Sequence, residues 1–334
     1  MAKISGTQVA VGLGIESYAA PGTAVAETVF VPWLDYSIQA VAEKAMFAAA
    51  RGLRNMTSNS MIKRKYAQGS ISFVPNVKIM PYFLSLALGG VSSSTINDSA
   101  YTHTFTVNND NATPRTATVT TEEGSIQTAQ YLNAVCNTLG LEVSDEYAKC
   151  TAELIAQFPG TDTISESYSS ETEFAYHQYT AKFGASLSAA AGAAATPLKS
   201  FQLSINNNVM LDEAFLSGSN EIADGGLVNG KLEITGSYSL HFADTTELAK
   251  YKANTKNALI VTFEGALIGS SSKETMQFKL GRLVLTKPPV EYSVDGLVTL
   301  SQEFTVEYDA TDAELTAIVI NSVNNASTAV YNKA

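Results

Sequence analysis

The chain has 334 residues, 45% of them hydrophobic and 9% aromatic, which is enough apolar material for two ordinary cores and excludes a disordered chain. Its formal charge of −11 argues against a protein that grips a phosphate backbone, because that task takes clustered cations. The longest small-apolar run, 189–195, is too short to cross a bilayer, and residues 1–5 lead into no apolar signal core, so the sequence reads as one made and kept in a cytoplasm.

Residues 1–28 are rich in Gly, Ala and Thr, and Gly12-Leu13-Gly14 lacks the third glycine of a dinucleotide fingerprint. A strand-like run at 30–34 is followed by a long connection, 35–68, which reads as an interaction arm. The arm carries Arg51, Arg54, Lys63, Arg64 and Lys65, five of the 21 basic residues. Two readings stay open for this cluster: a solvated loop, or a contact surface for an acidic patch on a neighbouring copy. Gly69-Ser70-Ile71-Ser72-Phe73 then alternates as a strand and hands over to an apolar helix at 81–88, with Pro81 near its start.

After a Ser- and Asn-rich loop, Tyr101, His103, Phe105 and Val107 form the dry face of a strand. Thr116, Thr118 and Thr120 alternate with Ala117 and Val119, which predicts a threonine-rich face turned to solvent. Strands around 139–143 and 148–155 pair Leu139, Leu141 and Val143 with Ala148, Cys150 and Ala152. Cys136 falls on the other parity, so buried free thiols are expected rather than a disulfide.

Residues 159–198 change to a Ser-, Thr-, Gly- and Ala-rich composition. We place a connector at 166–198, between a first unit at 1–165 and a second at 199–334. In the second unit Gly236-Ser237-Tyr238-Ser239-Leu240 echoes the first glycine strand, and a helix with Thr245 or Thr246 at its start follows to Tyr251. A strand lies about 35 residues before each glycine, at 30–34 and 201–205, and further strands follow each helix, at 259–263, 278–285 and 296–308 in the second unit. The order strand, long loop, strand, helix, strands therefore occurs twice, which suggests duplication. In the last of these strands Leu300, Phe304, Val306 and Tyr308 face one way, while Thr299, Ser301, Glu303, Thr305 and Glu307 make a wet, acidic face. Residues 312–323 are predicted to close the chain as a helix. The fold class is mainly β (α+β): two tandem β-sandwich or barrel units, each with one flanking α-helix.

Chemistry is hard to find. His103, His177 and His241 are far apart with no second ligand at helical spacing, and G-x-S-x-G, H-E-x-x-H and Walker patterns are missing from the sequence. Its carboxylates follow turns and strand exteriors, and none stands out as a general acid and base pair. The expectation is a protein that is not an enzyme and uses no cofactor or metal.

Several short motifs, taken together and in order, carry a resemblance. They are Glu16-Ser17-Tyr18 with Pro21-Gly22-Thr23, the stretch from Glu43 to Arg51-Gly52-Leu53-Arg54, Gly69-Ser70, Tyr101-Thr102-His103, and Lys199-Ser200-Phe201-Gln202-Leu203-Ser204-Ile205-Asn206-Asn207. From about residue 8 to residue 310 the chain resembles the larger tail tube proteins of long-tailed bacteriophages, departing from them in the lengthened 159–198 connector. The resemblance implies a structural virion protein whose rings stack into a hollow tail tube through which DNA is ejected. Six β-sandwich units would close each ring, so a two-unit chain would form a ring of three copies, with six copies as the alternative. Implied partners are copies of itself, the tail tip, tape measure and tail terminator proteins, and genomic DNA in unspecific transit, with no membrane and with assembly in the bacterial cytoplasm. On this reading Arg51, Arg54, Lys63, Arg64 and Lys65 are candidates for inter-ring or inter-subunit contact, and Glu303, Thr305 and Glu307 for the lumen. The competing readings are a β-rich adhesin or carbohydrate-binding module of a virion, which needs an aromatic and carboxylate cluster on loops, and a β-scaffold hydrolase, which needs a convergent acid/base pair.

Overall fold

The structure, a computed structural model, describes residues 5–48, 57–97, 99–110, 112–124, 126–144, 146–169, 172–241, 245–269, 271–287, 290–291, 298–325 and 330–331. Its first half holds β1 (Val9–Ile15), β2 (Val29–Phe30), β3 (Trp33–Tyr36), β4 (Gln39–Ala48), β5 (Thr57–Phe73), α1 (Met80–Leu88), β6 (Gly89–Asn97), β7 (Ala100–Val107), β8 (Ala117–Glu123), β9 (Gln127–Val143) and β10 (Ala148–Ala156). The second half holds β11 (Tyr179–Gly184), α2 (Leu187–Gly192), β12 (Ser200–Asn206), β13 (Glu233–His241), α3 (Thr246–Ala253), β14 (Asn257–Ile268), β15 (Ser272–Leu285), β16 (Val290–Glu291), β17 (Thr299–Val306) and β18 (Leu315–Asn321). The chain is mainly β, as its alternating patterns predict.

One antiparallel sheet runs through both halves in the order β3-β5-β10-β9-β12-β13-β17-β16. Period-two alternation gives it two unlike faces. Ile71, Phe73, Cys150, Ala152, Leu139, Leu141, Phe201, Leu203, Tyr238 and Phe304 point into the main core, and Ser, Thr, Gln and Glu point away. The core is closed from behind by β2-β1-β8 with the first part of β9, and by β11-β14-β15-β18-β7-β6.

The two halves repeat one order of pairing. In the first, ladders link β1, β8, β9, β10, β5 and β3 in turn; in the second they link β11, β14, β15, β17, β13 and β12. Gly69 and Gly236 occupy matching places. Each stands opposite a large apolar residue, Leu154 or Phe304, and a Cβ on either would strike neighbouring backbone, at Ser37 O just past β3 in one case and at Gln202 O of β12 in the other. Glycine is needed there because two backbones come too close for a side chain. The register also matches Tyr36 with Phe201 and Glu153 with Glu303, so the earlier strand lies a few residues later than the 30–34 run, in which Pro32 separates β2 from β3.

The helices differ. Every residue of α1 is buried; Asn76 Oδ1 accepts from the amides of Lys78 and Ile79 at its start, and Gly89 ends it at φ 82°. An all-apolar helix must be covered on every side, and the β6–β7 hairpin, which the second half lacks between α3 and β14, supplies much of that cover. By contrast α3 buries none of its residues, ends on left-handed Asn254, and ties Lys250 to Glu247 at 2.6 Å.

Several expectations are corrected. Residues 312–323 contain strand β18, not a helix: Leu315, Ala317 and Val319 alternate into the core between β15 and β7, and the β-branched run Ile318-Val319-Ile320 favours extended backbone. The 35–68 connection is a β4–β5 hairpin rather than a loop. Thr116, Thr118 and Thr120 are buried rather than solvated, because Glu16, itself buried, accepts from Thr116 Oγ1 at 2.7 Å and Thr118 Oγ1 at 3.0 Å. Cys136 shares the core face with Leu139 because a bulge between Glu153 and Leu154 in the ladder shifts its parity; it and Cys150 are buried free thiols, and burial pushes the Cys136 thiol up to about 12. Tyr308 lies past the end of β17 and is 71% exposed, not packed with Phe304. Residues 186–197, read as plain connector, include the short helix α2.

Candidate functional site: a polar sheet face, two open edges and a braced hairpin

The polar face is knitted by side chains reaching across strands. Ser37 Oγ meets Ser70 Oγ at 3.0 Å, Ser72 meets Thr151 at 2.9 Å, Gln202 donates to Glu142 at 3.2 Å, Ser237 donates to Gln202 at 3.3 Å, and Ser200 meets Ser239 at 2.6 Å. Glu303 stands on this face, paired with Lys287 at 3.1 Å, and Thr305 follows it two residues on. Glu142, Lys149, Glu153 and Glu233 are exposed on the same face. Glu307 lies just past β17, in a cluster with Lys256 at 3.2 Å and Arg282 at 3.2 Å. A shallow concavity of about 570 Å³ runs along this face between Glu142 and Glu303. Hydroxyl, amide and carboxylate groups of Thr151, Gln202, Ser204, Ser237, Glu142 and Glu303 line it beside Leu141, Leu203 and Phe304, and Lys149 is its one cation among the described residues.

The sheet ends in two edges that carry no ladder among the described residues. At one end β3 bonds to β5 by one edge only. At the other, residues 283–285 and 290–291 bond to β17 on one side, and beyond Leu283 the opposite side is open. The matching stretch of the first half, 138–143 of β9, has that side filled: β12 pairs there, Phe201 opposite Val143 and Ile205 opposite Leu139.

The sequence cluster of cations divides. Arg51 and Arg54 lie outside the described residues. Lys63 is exposed. Arg64 is buried in the hairpin, donating to Glu43 at 2.9 Å, to Asp212 at 3.1 Å and to Leu211 O at 2.5 Å. Its guanidinium, with help from the Tyr66 hydroxyl, holds the Glu43 carboxyl below its usual range. Lys65 pairs with Glu221 at 3.1 Å, and its amide donates to Asn220 O at 2.7 Å. These two cations thus tie the hairpin to residues 207–231, over a small core of Tyr66, Val135, Ile155, Ile222 and Leu227.

Two polar clusters escaped the sequence reading. Glu16 also accepts from the amides of Gly22 at 2.7 Å and Asn133 at 2.9 Å, so Glu16 and Pro21-Gly22-Thr23 form one buried turn. His103 sits fully buried between Ser93 at 2.9 Å and Asn321 at 2.9 Å, with the ring of Tyr331 edge-on at 5.0 Å; burial lowers its pKa. Only a carboxylate spaced among Thr and Gly hinted at the first; nothing local hinted at the second, two of whose partners, Asn321 and Tyr331, lie over 200 positions away. No group of three or more His, Cys, Asp or Glu able to hold a metal occurs among the described residues, and no described helix is long and apolar enough to cross a membrane.

A buried two-layer β core, a wall of hydrated polar side chains and unfilled sheet edges define a structural β-sandwich protein. Residues 6–306 match the family model for phage tail tube proteins, and the chain belongs to that family. It is a structural protein of the virion tail, where members of the family assemble with copies of themselves into a tube. Comparison with curated proteins returned no match.

Proposed function

We propose that three copies of this chain close a ring through their sheet edges, and that stacked rings form the tube along which the phage genome leaves the virion. One observation carries the reading: two halves with the same pairing order sit side by side in one sheet, joined by the β9–β12 ladder, while the matching edges at the two ends carry no ladder among the described residues. A rotation that takes the first half onto the second takes the second onto the first half of the next copy. The β3 edge of one copy would then pair with the edge beyond Leu283 of its neighbour, as β12 pairs with β9. Closure leaves no edge free for uncontrolled aggregation. This arrangement supports reading the two units as a duplication, with the units at 1–165 and 199–334 and the connector at 166–198.

Eight strands per copy give a 24-stranded barrel. At a strand spacing of about 4.8 Å its wall is roughly 115 Å around and about 37 Å across for upright strands, and wider when they tilt. That admits a double helix with its hydration. The bore would be lined by the polar face, with Glu303 and Thr305 on it and Glu307 at its margin, so that phosphates meet hydroxyls and carboxylates and DNA passes in transit without being held. Of the cation cluster, exposed Lys63 is the candidate for the rim where copies meet, while Arg64 and Lys65 brace the hairpin within each copy. Partners would be the tail tip, tape measure and tail terminator proteins, with synthesis and assembly in the bacterial cytoplasm. No enzymatic step is assigned.

Native mass spectrometry with negative-stain microscopy at rising protein concentration tests this. Annuli of three copies are the expected result. Rings of six copies would remove the two-units-per-ring argument, and a monomer that neither self-assembles nor extends from added tail tips would remove the tube reading.

A further inference from the structure

We infer that in the assembled ring the apolar flank of residues 207–231, carried by Met210, Phe215 and Leu216, is covered by the β4–β5 hairpin of the next copy, which brings to it the face that carries Met61. The inference rests on the ring reading above and adds a second, side-chain interface at the rim.

The two segments are counterparts: the hairpin joins β3 to β5, and residues 207–232 join β12 to β13. Within one chain they already touch. Lys65 and Glu221 form a parallel bridge, Asn220 Nδ2 donates to Ile62 O at 3.1 Å, and Arg64 reaches Asp212 and Leu211 O. A rotation carrying the first half onto the second carries this contact too, and its image is a contact between residues 207–231 of one copy and the hairpin of the next.

What each segment leaves exposed fits that image. The charges of Arg64 and Lys65 are matched inside the chain by Glu43, Asp212 and Glu221. Large apolar side chains remain outside: Phe215 is 70% exposed, Met46 and Met61 67% each, Leu216 44% and Met210 40%. Clustered exposure of this size marks a surface that another protein covers. Because both members lie on the same chain and exchange under the same rotation as the sheet edges, the partner is a second copy rather than a different protein. Met61 pairs with Ala45 and Met46 with Ser60, so the two methionines are on opposite faces of the ribbon and Met61 is the one turned to this contact; a flexible methionine there suits segments that are counterparts but not identical in sequence.

The test uses the full chain carrying Met61→Cys and Phe215→Cys. The native thiols Cys136 and Cys150 are buried, so oxidation addresses the engineered pair. Oxidised rings should run on a non-reducing gel as covalent dimers and trimers, and neither single variant should do so. In parallel, Phe215→Asp should leave thermal unfolding of the unassembled chain unchanged while raising the concentration needed for assembly at least tenfold. If wild-type rings form but the double variant cross-links only within one chain or not at all, and Phe215→Asp assembles like wild type, the rim contact is wrong and the ring reading stands. If the wild-type chain forms no rings, the ring reading itself fails.

Discussion

Gly236→Ala puts the register of the polar sheet to a direct test. A Cβ there would lie 2.5 Å from Phe304 Cζ and closer still to Gln202 O, where carbon contacts settle near 3.5 to 4.0 Å. Either β12 or the Phe304 ring must give by about 1 Å. Overpacking of this kind costs roughly 1–3 kcal/mol, and loosening the two ladder bonds beside it adds about 0.5–1.5 kcal/mol each, so a loss near 3 kcal/mol is expected. Gly69→Ala should cost about as much, because its Cβ would lie 2.5 Å from Ile38 Cα. Gly140→Ala is the control: its nearest neighbour would be Thr151 O at 3.7 Å, and its stability should stay within about 0.5 kcal/mol of wild type. Urea unfolding of the three purified variants, followed by tryptophan fluorescence and far-ultraviolet dichroism, reads the differences. If Gly69→Ala and Gly236→Ala prove as mild as Gly140→Ala, the close approach of residues 37–38 and of β12 to these glycines is refuted, and with it the register that matches the halves.

Other outcomes follow from the buried polar clusters. Glu16→Gln replaces an acceptor of four hydrogen bonds by a group that turns donors against donors, so a loss of roughly 2–4 kcal/mol is expected in the same assay; a neutral result would mean Glu16 does not organise its turn. His103 is neutral in the fold and its pKa is lowered by burial, so below about pH 6.5 the unfolded chain takes up a proton that the folded chain refuses. Its contribution to stability is therefore complete above that pH and is lost as pH falls toward the folded value. The urea midpoint should drop between pH 7.5 and 5 more steeply in wild type than in His103→Gln, and equal slopes would refute the assignment. Tyr331→Ala empties a fully buried site beside Tyr82 and His103 and should cost about 3–5 kcal/mol; a loss under about 1 kcal/mol would show that the ring is not packed there.

What the sequence disclosed depended on how local the cause was. Alternation at 69–73, 201–205, 236–240 and 299–305 located strands of the polar sheet and its wet side, because side-chain parity is a nearest-neighbour property. Glu303 and Thr305 could be put on that face for the same reason. Parity misleads where a bulge or a distant partner intervenes. It sent Cys136 to the wrong face, and it put Thr116, Thr118 and Thr120 in water because nothing nearby announced the buried Glu16 carboxylate that Thr116 and Thr118 bind. The pairing of Arg64 with Asp212 spans 148 residues and could not be read from charge spacing along the arm. Residues 312–323 looked helical by length and position, yet what decides their conformation is the pair of strands waiting on either side.

The latest strand of the chain finishes the earliest core. Asn321 takes its bonds from His103 and gives them to Val77, 218 and 244 residues away, and Ser85 donates to Tyr331 across 246 residues. While the chain is being synthesised, α1 therefore has no complete cover until β18 has emerged, and loop closures of this length slow folding. The consequence is one of timing. A chain halted halfway through synthesis lacks the strand that seals its own first half, so its first core is an unfinished fold until β18 arrives.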